Sequence, residues 1–397
     1  MSLKLSLKNL LYQKILLATK LEEALSDESK AKALSDHHAR RPPRPCGFTV
    51  HSAVGCTYSC SYCYLPDMGI SFREVHVYGL TGEEVSYALL KNPYFLPTRF
   101  GSQIAVGSVG EPFASPEAAS KTMEYIASFE KYLGNPVQFS TKAVLDEETA
   151  GWLAQRKVPV NPLVTVVTLD KYKELEPGAP PPYERLESMR RMRKKGLRPM
   201  LFLRPLIPGV TSEEAEEILE EAKRHGAVGV VIGGLRVTPS ILARLEKAGV
   251  DTGRIRGMLK GVQLTAGKQV PLPLGDLKRE VLEIARSKGL VPFLSACCAN
   301  NFNAYLHDGK RVPCPGLDYI DGKYCTACPV GCPSLKTEVD PDEVREIIEK
   351  FTGVKGVKVE VDDRYIRVTG GKVRLKKHHV YLIETGYRRR LRTSRNV

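Results

Sequence analysis

The chain has 397 residues, with 59 Lys and Arg against 45 Asp and Glu and a net charge of +14. Its 42% hydrophobic and 26% charged content is ordinary globular usage, and the length buries a sizeable core without disulfide staples. No apolar run approaches the roughly 18 residues of a membrane-spanning helix, and the first residues lack a secretory pattern, so the expectation is a cytoplasmic protein with no membrane partner.

In chain order, residues 3–34 read as an amphipathic helix, or two with a break, and RRPPRP (40–45) as a linker that no helix can continue. Strand-like runs follow at 47–54, 102–109, 136–141, 162–168, 198–204 and 228–233, alternating with helical patterns near 82–91, 115–132, 146–155, 183–195, 212–225 and 238–247. The strands are almost continuously apolar, as strands buried on both faces are. Six β–α units in series predict an α/β fold, a partial (β/α)6 barrel of the TIM type, with ligands at the C-terminal ends of its strands. A further helix is predicted at 274–288. The stretch 295–333 is rich in Gly, Pro and Cys. A helix is expected over 340–352 and strands over 356–386. Four segments result: a helical extension and linker (1–45), the barrel (46–290), a Cys-rich module (291–335) and a small basic α+β module (336–397).

The ten cysteines are grouped, and none falls between Cys63 and Cys297. In a long chain without a secretory pattern, such grouping points to metal or iron–sulfur sites rather than disulfides. Cys56, Cys60 and Cys63 follow the first strand in GCTYSCSYCYLPDMG. Three thiolates within eight residues can wrap one small inorganic core, such as a 4Fe–4S cubane with one iron left open to a small molecule; inert buried thiols are an alternative. Zinc fits a lone triplet poorly unless Cys46 returns as a fourth ligand.

CxxxCxxC with an aromatic, Tyr62, before the last cysteine resembles the signature of radical S-adenosylmethionine (radical SAM) enzymes. The strings VGSVGEPFASPE, FSTKAV, VTVVTLD and LFLRPLIPGV extend the likeness toward the spore photoproduct lyase-related branch. The resemblance implies a 4Fe–4S cluster on Cys56, Cys60 and Cys63, S-adenosylmethionine on its open iron, an external one-electron reductant, and hydrogen-atom abstraction by a 5′-deoxyadenosyl radical. It places Tyr62 beside the adenine and Glu111 against the methionyl ammonium, although Val109-Gly110 stands where many relatives have two glycines. Thr141 and Lys142 after the third strand, Thr168 after the fourth, Arg185, Arg204 and Arg236 are the remaining candidate cofactor or substrate contacts, with Ser140 beside them at the mouth.

The second group is Cys298, Cys314, Cys325, Cys328 and Cys332, with Cys297 able to substitute for Cys298. It resembles the twitch or SPASM auxiliary modules of radical SAM enzymes and predicts a second 4Fe–4S cluster, with zinc as the alternative. The string AYLHDGKRVPC reads as strand, Asp308-Gly309 turn, strand.

Charge concentrates at the ends. Residues 372–397 carry nine Lys and Arg against Glu384 alone, interleaved with His378, His379, Tyr381 and Tyr387. Cations with aromatics suit a nucleic acid, so RNA, tRNA included, is the expected substrate, ahead of DNA repair. Two alternatives are a radical SAM enzyme that modifies peptides or proteins, and a non-catalytic zinc-binding RNA-binding protein.

Overall fold

The computed structural model describes residues 3–44 and 47–393. Its centre is one parallel sheet of seven strands, adjacent in space as they are in sequence: β1 (Phe48–Val50), β2 (Ile104–Val106), β3 (Val137–Thr141), β4 (Val160–Thr165), β5 (Met200–Leu206), β6 (Gly229–Gly234) and β7 (Val291–Phe293). This is a partial barrel of the TIM type, as the alternating pattern predicts. The seventh strand is an addition: Val291-Pro292-Phe293 is too short to carry a periodic signal, yet it pairs in parallel with β6.

All six residues of β4 are buried, which explains why the strands read as unbroken apolar runs. On one face Val164, Leu201 and Val230 pack against Leu186, Met189, Ile218 and Leu219 of the crossover helices. On the other face Leu163, Met200 and Val231 meet Phe293, Ala299 and Phe302. Helix starts are set locally. Thr81 and Glu84 close a reciprocal capping box on the helix Gly82–Lys91, and Ser115 caps Pro116–Tyr132 with proline in the first turn.

The helix Ala296–Asp308 closes the N-terminal end of the sheet. Asn300 and Asn303 donate to the carbonyls of Pro136 and Arg198, residues that precede β3 and β5. The expected hairpin over 304–314 is therefore corrected to a helix end. Gly309, at φ 71°, is a left-handed helix cap, a role that an Asp-Gly pair fills as readily as it fills a hairpin turn.

The two ends of the chain share one core. Leu7 and Leu10 of the helix Leu7–Ala24 pack with Leu382, Ile383 and Tyr387, and Leu3–Lys4 pairs in parallel with Thr337–Glu338. Gly386 is required there, because a Cβ would stand 2.9 Å from Leu7 Cδ1. Within 356–386, strands form at Lys358–Val361 and Tyr365–Thr369, but Lys377–Tyr387 is a helix that buries Leu382, Ile383, Gly386 and Tyr387 against the N-terminal helix. Among the described residues no helix is long and apolar enough to cross a membrane.

Candidate active site and the two cysteine groups

The first cysteine loop leaves the short strand Ala53–Gly55 and ends in the turn Leu65–Met68. Two glycines let backbone approach backbone at its base. A Cβ on Gly110 would meet the Gly55 carbonyl oxygen at 2.7 Å, and one on Gly178 would meet that of Thr57 at 2.5 Å. The loop is then pinned from distant segments. Ser61 N donates to the Leu175 carbonyl at 2.8 Å and Gly178 N to the Tyr58 carbonyl at 3.1 Å. Arg244, on the helix Pro239–Lys247, donates to the carbonyls of Ser61 (3.1 Å) and Cys63. Cys60 is buried, with Cys56 and Cys63 half-buried, and all three are free thiols. Burial pushes Cys56 up to about 12 and Cys60 up to about 11, so proton loss there requires a cation at the sulfur.

Beside the loop lies a buried polar cluster. Tyr62 donates its hydroxyl proton to Glu176, and Lys142 Nζ stands 5.4 Å over the Tyr62 ring and 3.8 Å from Glu176. Arg185 and Glu176, both with fully buried side chains, form an ion pair at 2.6 Å. Arg185 also donates to the carbonyls of Pro180 (2.7 Å) and Thr165 (3.1 Å), while its Nη2 is buried with no hydrogen-bond partner. Burial alone would lower the Lys142 pKa. The neighbouring Cys60 and Glu176 outweigh it and hold the pKa above the usual lysine range.

Glu111 is buried, which raises its pKa. Its carboxylate accepts from Thr141, from Lys142 N (2.9 Å) and from Phe113 N (3.3 Å). Three of its roughly four acceptor positions are thus filled by the chain itself. Thr168 accepts from Lys171 N (3.0 Å) and donates to Glu214 (2.6 Å), so its hydroxyl caps a loop. Arg204 and Arg236 are solvent-accessible at the strand ends with Lys278 beside them. Arg204 lies in a recess, and burial there together with Arg236 lowers its pKa. Among the described residues none of these three cations lies in an ion pair.

Tyr62, Lys142 and Arg185 therefore gather beside the cysteine loop, Glu111 and Thr141 pair with each other, Arg204 and Arg236 share a rim, and Thr168 belongs to a loop contact. Sequence reasoning missed Glu176 and Arg244. Each reads as an ordinary loop acid or helix-surface cation, and only the fold brings them to the cysteines.

The second group lies at the opposite end of the strands. Cys298, Cys314, Cys325, Cys328 and Cys332 line one pocket with Asn301 and Tyr319. Cys298 Sγ is 3.8 Å from Cys314 Sγ, and Cys314 N donates to Cys332 Sγ at 3.4 Å. Cys332 is pushed up to about 12 by burial. Helical phase selects Cys298 for this pocket, while Cys297 Sγ rests against Ser295 Oγ at 2.9 Å. Cys46 lies outside the described residues.

The basic C-terminal run is committed differently from its sequence reading. Arg388 is buried and donates to the carbonyls of Pro313 (2.8 Å) and Phe100 (2.8 Å). Arg389 is buried on Thr337, and Arg390 pairs with Glu384 at 3.0 Å and with Asp321. The half-buried aromatics contact other rings: His379 stacks on Phe351 at 4.2 Å, and His378 and Tyr381 each sit 5.8 Å from Tyr94. Lys372, Arg374, Lys376, Lys377 and Arg392 stay exposed, and Arg395 lies outside the described residues. Of these rings Tyr387 lies in the core, while His378, His379 and Tyr381 stay half-buried beside the exposed Lys376 and Lys377.

Comparison with known proteins agrees with this geometry. Residues 50–222 match the model of the Radical SAM superfamily. An uncharacterized protein of Mycobacterium tuberculosis is 24% identical over 213 residues, which are 49% of this chain and 61% of the relative. One from Acidianus two-tailed virus is 27% identical over 190 residues, 44% and 61% respectively. The chain thus spans less than two thirds of the length of the curated relatives it matches. A spore photoproduct lyase variant superposes with TM-score 0.51 at 16% identity, covering 64% of this chain and 79% of that one. A second variant, solved with bound AdoMet and dinucleoside spore photoproduct, superposes at 0.50 and 16%, covering 63% and 77%. The cysteine loop at the mouth and the barrel strands β2 to β5 thus fall within the segment, residues 50–222, that matches the Radical SAM superfamily model.

Proposed function

We infer that this protein is a radical SAM enzyme acting on a nucleic acid, RNA in the first place. The fit of the cofactor rests on the mouth itself: three free thiols on one pinned loop, and a buried guanidinium nitrogen of Arg185 with no partner of its own. Cys56, Cys60 and Cys63 would hold the cluster, with Arg185 and Lys142 positioned for a carboxylate. When bound, a 4Fe–4S cluster with S-adenosylmethionine supplies one-electron cleavage of the S–C5′ bond and hydrogen-atom abstraction, given an external one-electron reductant. The chain's own part is to position and to exclude. Arg244 and the 175–178 segment hold the loop, and Glu176 offsets the charges of Arg185 and Lys142. Val167, Ile207 and Leu235 form a dry wall around the cysteines.

The observation that carries the substrate class is the trio Arg204, Arg236 and Lys278, three unpaired cations on the barrel rim. Three cations in one recess repel one another and want anions, and phosphates are the anions a macromolecular substrate offers there. A target nucleotide would have to leave its stack to reach the mouth. The second cysteine group offers five sulfurs around one pocket to an auxiliary cluster, with zinc as the alternative.

The test is RNA affinity against salt for the full chain with Arg204→Ala and Arg236→Ala. Each substitution is expected to flatten the slope by about 1, and nucleoside mass spectrometry of RNA from cells with and without the protein then identifies the product. Unchanged slopes in both variants contradict the nucleic-acid reading and leave a peptide substrate as the next candidate.

A further inference from the structure

Away from both cysteine groups, three histidines converge where the N-terminal extension meets the edge of the sheet. His37 and His38 lie in the turn His37–Ala39, and His51 follows β1. Their ring centroids are 4.0 Å (His37–His38), 5.6 Å (His37–His51) and 5.6 Å (His38–His51) apart, and one ligand nitrogen from each lies within 4.8 Å of the other two. His38 is 3% exposed and His51 4%. His37 Nε2, His38 Nε2 and His51 Nδ1 are all buried without a hydrogen-bond partner.

The surrounding hydrogen bonds determine what those nitrogens offer. Asp36 Oδ1 accepts from His38 Nδ1 at 2.6 Å, and Asp36 Oδ2 accepts from the Tyr78 hydroxyl at 2.6 Å. Tyr78, its proton directed at Asp36, accepts from His37 Nδ1 at 3.1 Å. Both imidazoles therefore carry their proton on Nδ1 and present a bare lone pair on Nε2. Three buried, inward-facing ring nitrogens with no hydrogen-bond partner are a poor way to fill a core and a good way to hold a cation.

We propose that His37, His38 and His51 form a mononuclear site for a first-row divalent transition metal, with Asp36 and Tyr78 orienting the ligands. Imidazole ligands suit zinc, iron, nickel or copper, whereas magnesium and calcium take oxygen ligands. A triangle of nitrogens 4.8 Å on edge has its centre about 2.8 Å from each corner, so a contraction of less than about 1 Å reaches zinc–nitrogen bonds of about 2.0–2.1 Å. The Asp36–His38 pair is the carboxylate–histidine arrangement that raises ligand basicity in metal sites. The ion would clamp the N-terminal extension (36–38) to the residue that follows the first barrel strand (51).

Zn2+ is the probe. The anaerobically purified full chain, stripped with chelator and reloaded with one equivalent of Zn2+, is expected to retain one zinc per chain, with an X-ray absorption shell of nitrogen or oxygen at about 2.0–2.1 Å. His38→Ala and the half-exposed His37→Ala should each lose that zinc, while a Cys325→Ser/Cys328→Ser chain keeps it. Asp36→Asn should still bind but about 10–100-fold more weakly, the usual effect of removing an orienting partner. Circular dichroism of each variant confirms that loss of zinc is not loss of fold. No retained zinc in the wild-type chain overturns the proposal. So does a purely sulfur shell at about 2.3 Å that survives His38→Ala.

Discussion

The two cysteine groups occupy opposite ends of the same sheet, and their surroundings differ in kind. The loop 56–63 sits beyond the C-terminal ends of the strands, among Tyr62, Lys142, Glu176 and Arg185. The group 298–332 sits at the N-terminal end, in a pocket whose other lining is Asn301, Asp318, Tyr319 and Thr326. Strands of five to seven residues, about 16–23 Å long at 3.3 Å per residue, run between the two ends. Similar spacing of cysteines in sequence says how many sulfurs meet, while the neighbouring charges and the end of the strand say whether chemistry happens there.

The sharpest way to break this contrast is to remove one sulfur from each end. Cys60→Ala should abolish 5′-deoxyadenosine formation down to the enzyme-free background while far-UV circular dichroism is retained; continued formation would unseat the mouth as the reaction site. Next in size is the buried pair beside it. Arg185→Ala strands Glu176 in a dry site and should cost about 3–5 kcal/mol in denaturant unfolding, and Glu176→Gln/Arg185→Met should recover part of that. A cost below about 1 kcal/mol would mean the pair is solvated, as exposed pairs are. At the other end, Cys328→Ser/Cys332→Ser should lower iron from about eight to about four atoms per chain, since each cubane holds four, and leave 5′-deoxyadenosine formation in place. Loss of that formation would tie the two ends together. Smallest is Gly178→Ala, which presses a methyl on the Thr57 carbonyl and should cost about 1–3 kcal/mol through overpacking, with iron partly lost. Full iron and unchanged stability would show that the loop yields freely.

What was legible in the sequence follows from distance along the chain. The β–α alternation and the eight-residue cysteine loop are local patterns, and both the sheet and the loop appear where they were expected. Cys325, Cys328 and Cys332 were equally local, but choosing Cys298 over Cys297 needed the helical phase of Ala296–Asp308. Arg244 contacts a carbonyl 181 residues away, and the His37–His38–His51 group needs the extension folded against β1. No spacing rule reaches either. Arg388 and Arg389 read as a cationic tail because sequence carries charge and not burial. Their guanidinium groups satisfy backbone carbonyls that the two closing ends of the chain leave behind.

The central claim is that the sulfurs at the barrel mouth, and not those at the far end, hold the S-adenosylmethionine-binding cluster. Electron paramagnetic resonance of the dithionite-reduced Cys328→Ser/Cys332→Ser chain, with and without S-adenosylmethionine, tests it most directly. The account predicts a 4Fe–4S signal from about four irons per chain that changes on adding the nucleotide. An iron-free chain, or a signal indifferent to S-adenosylmethionine, would contradict it.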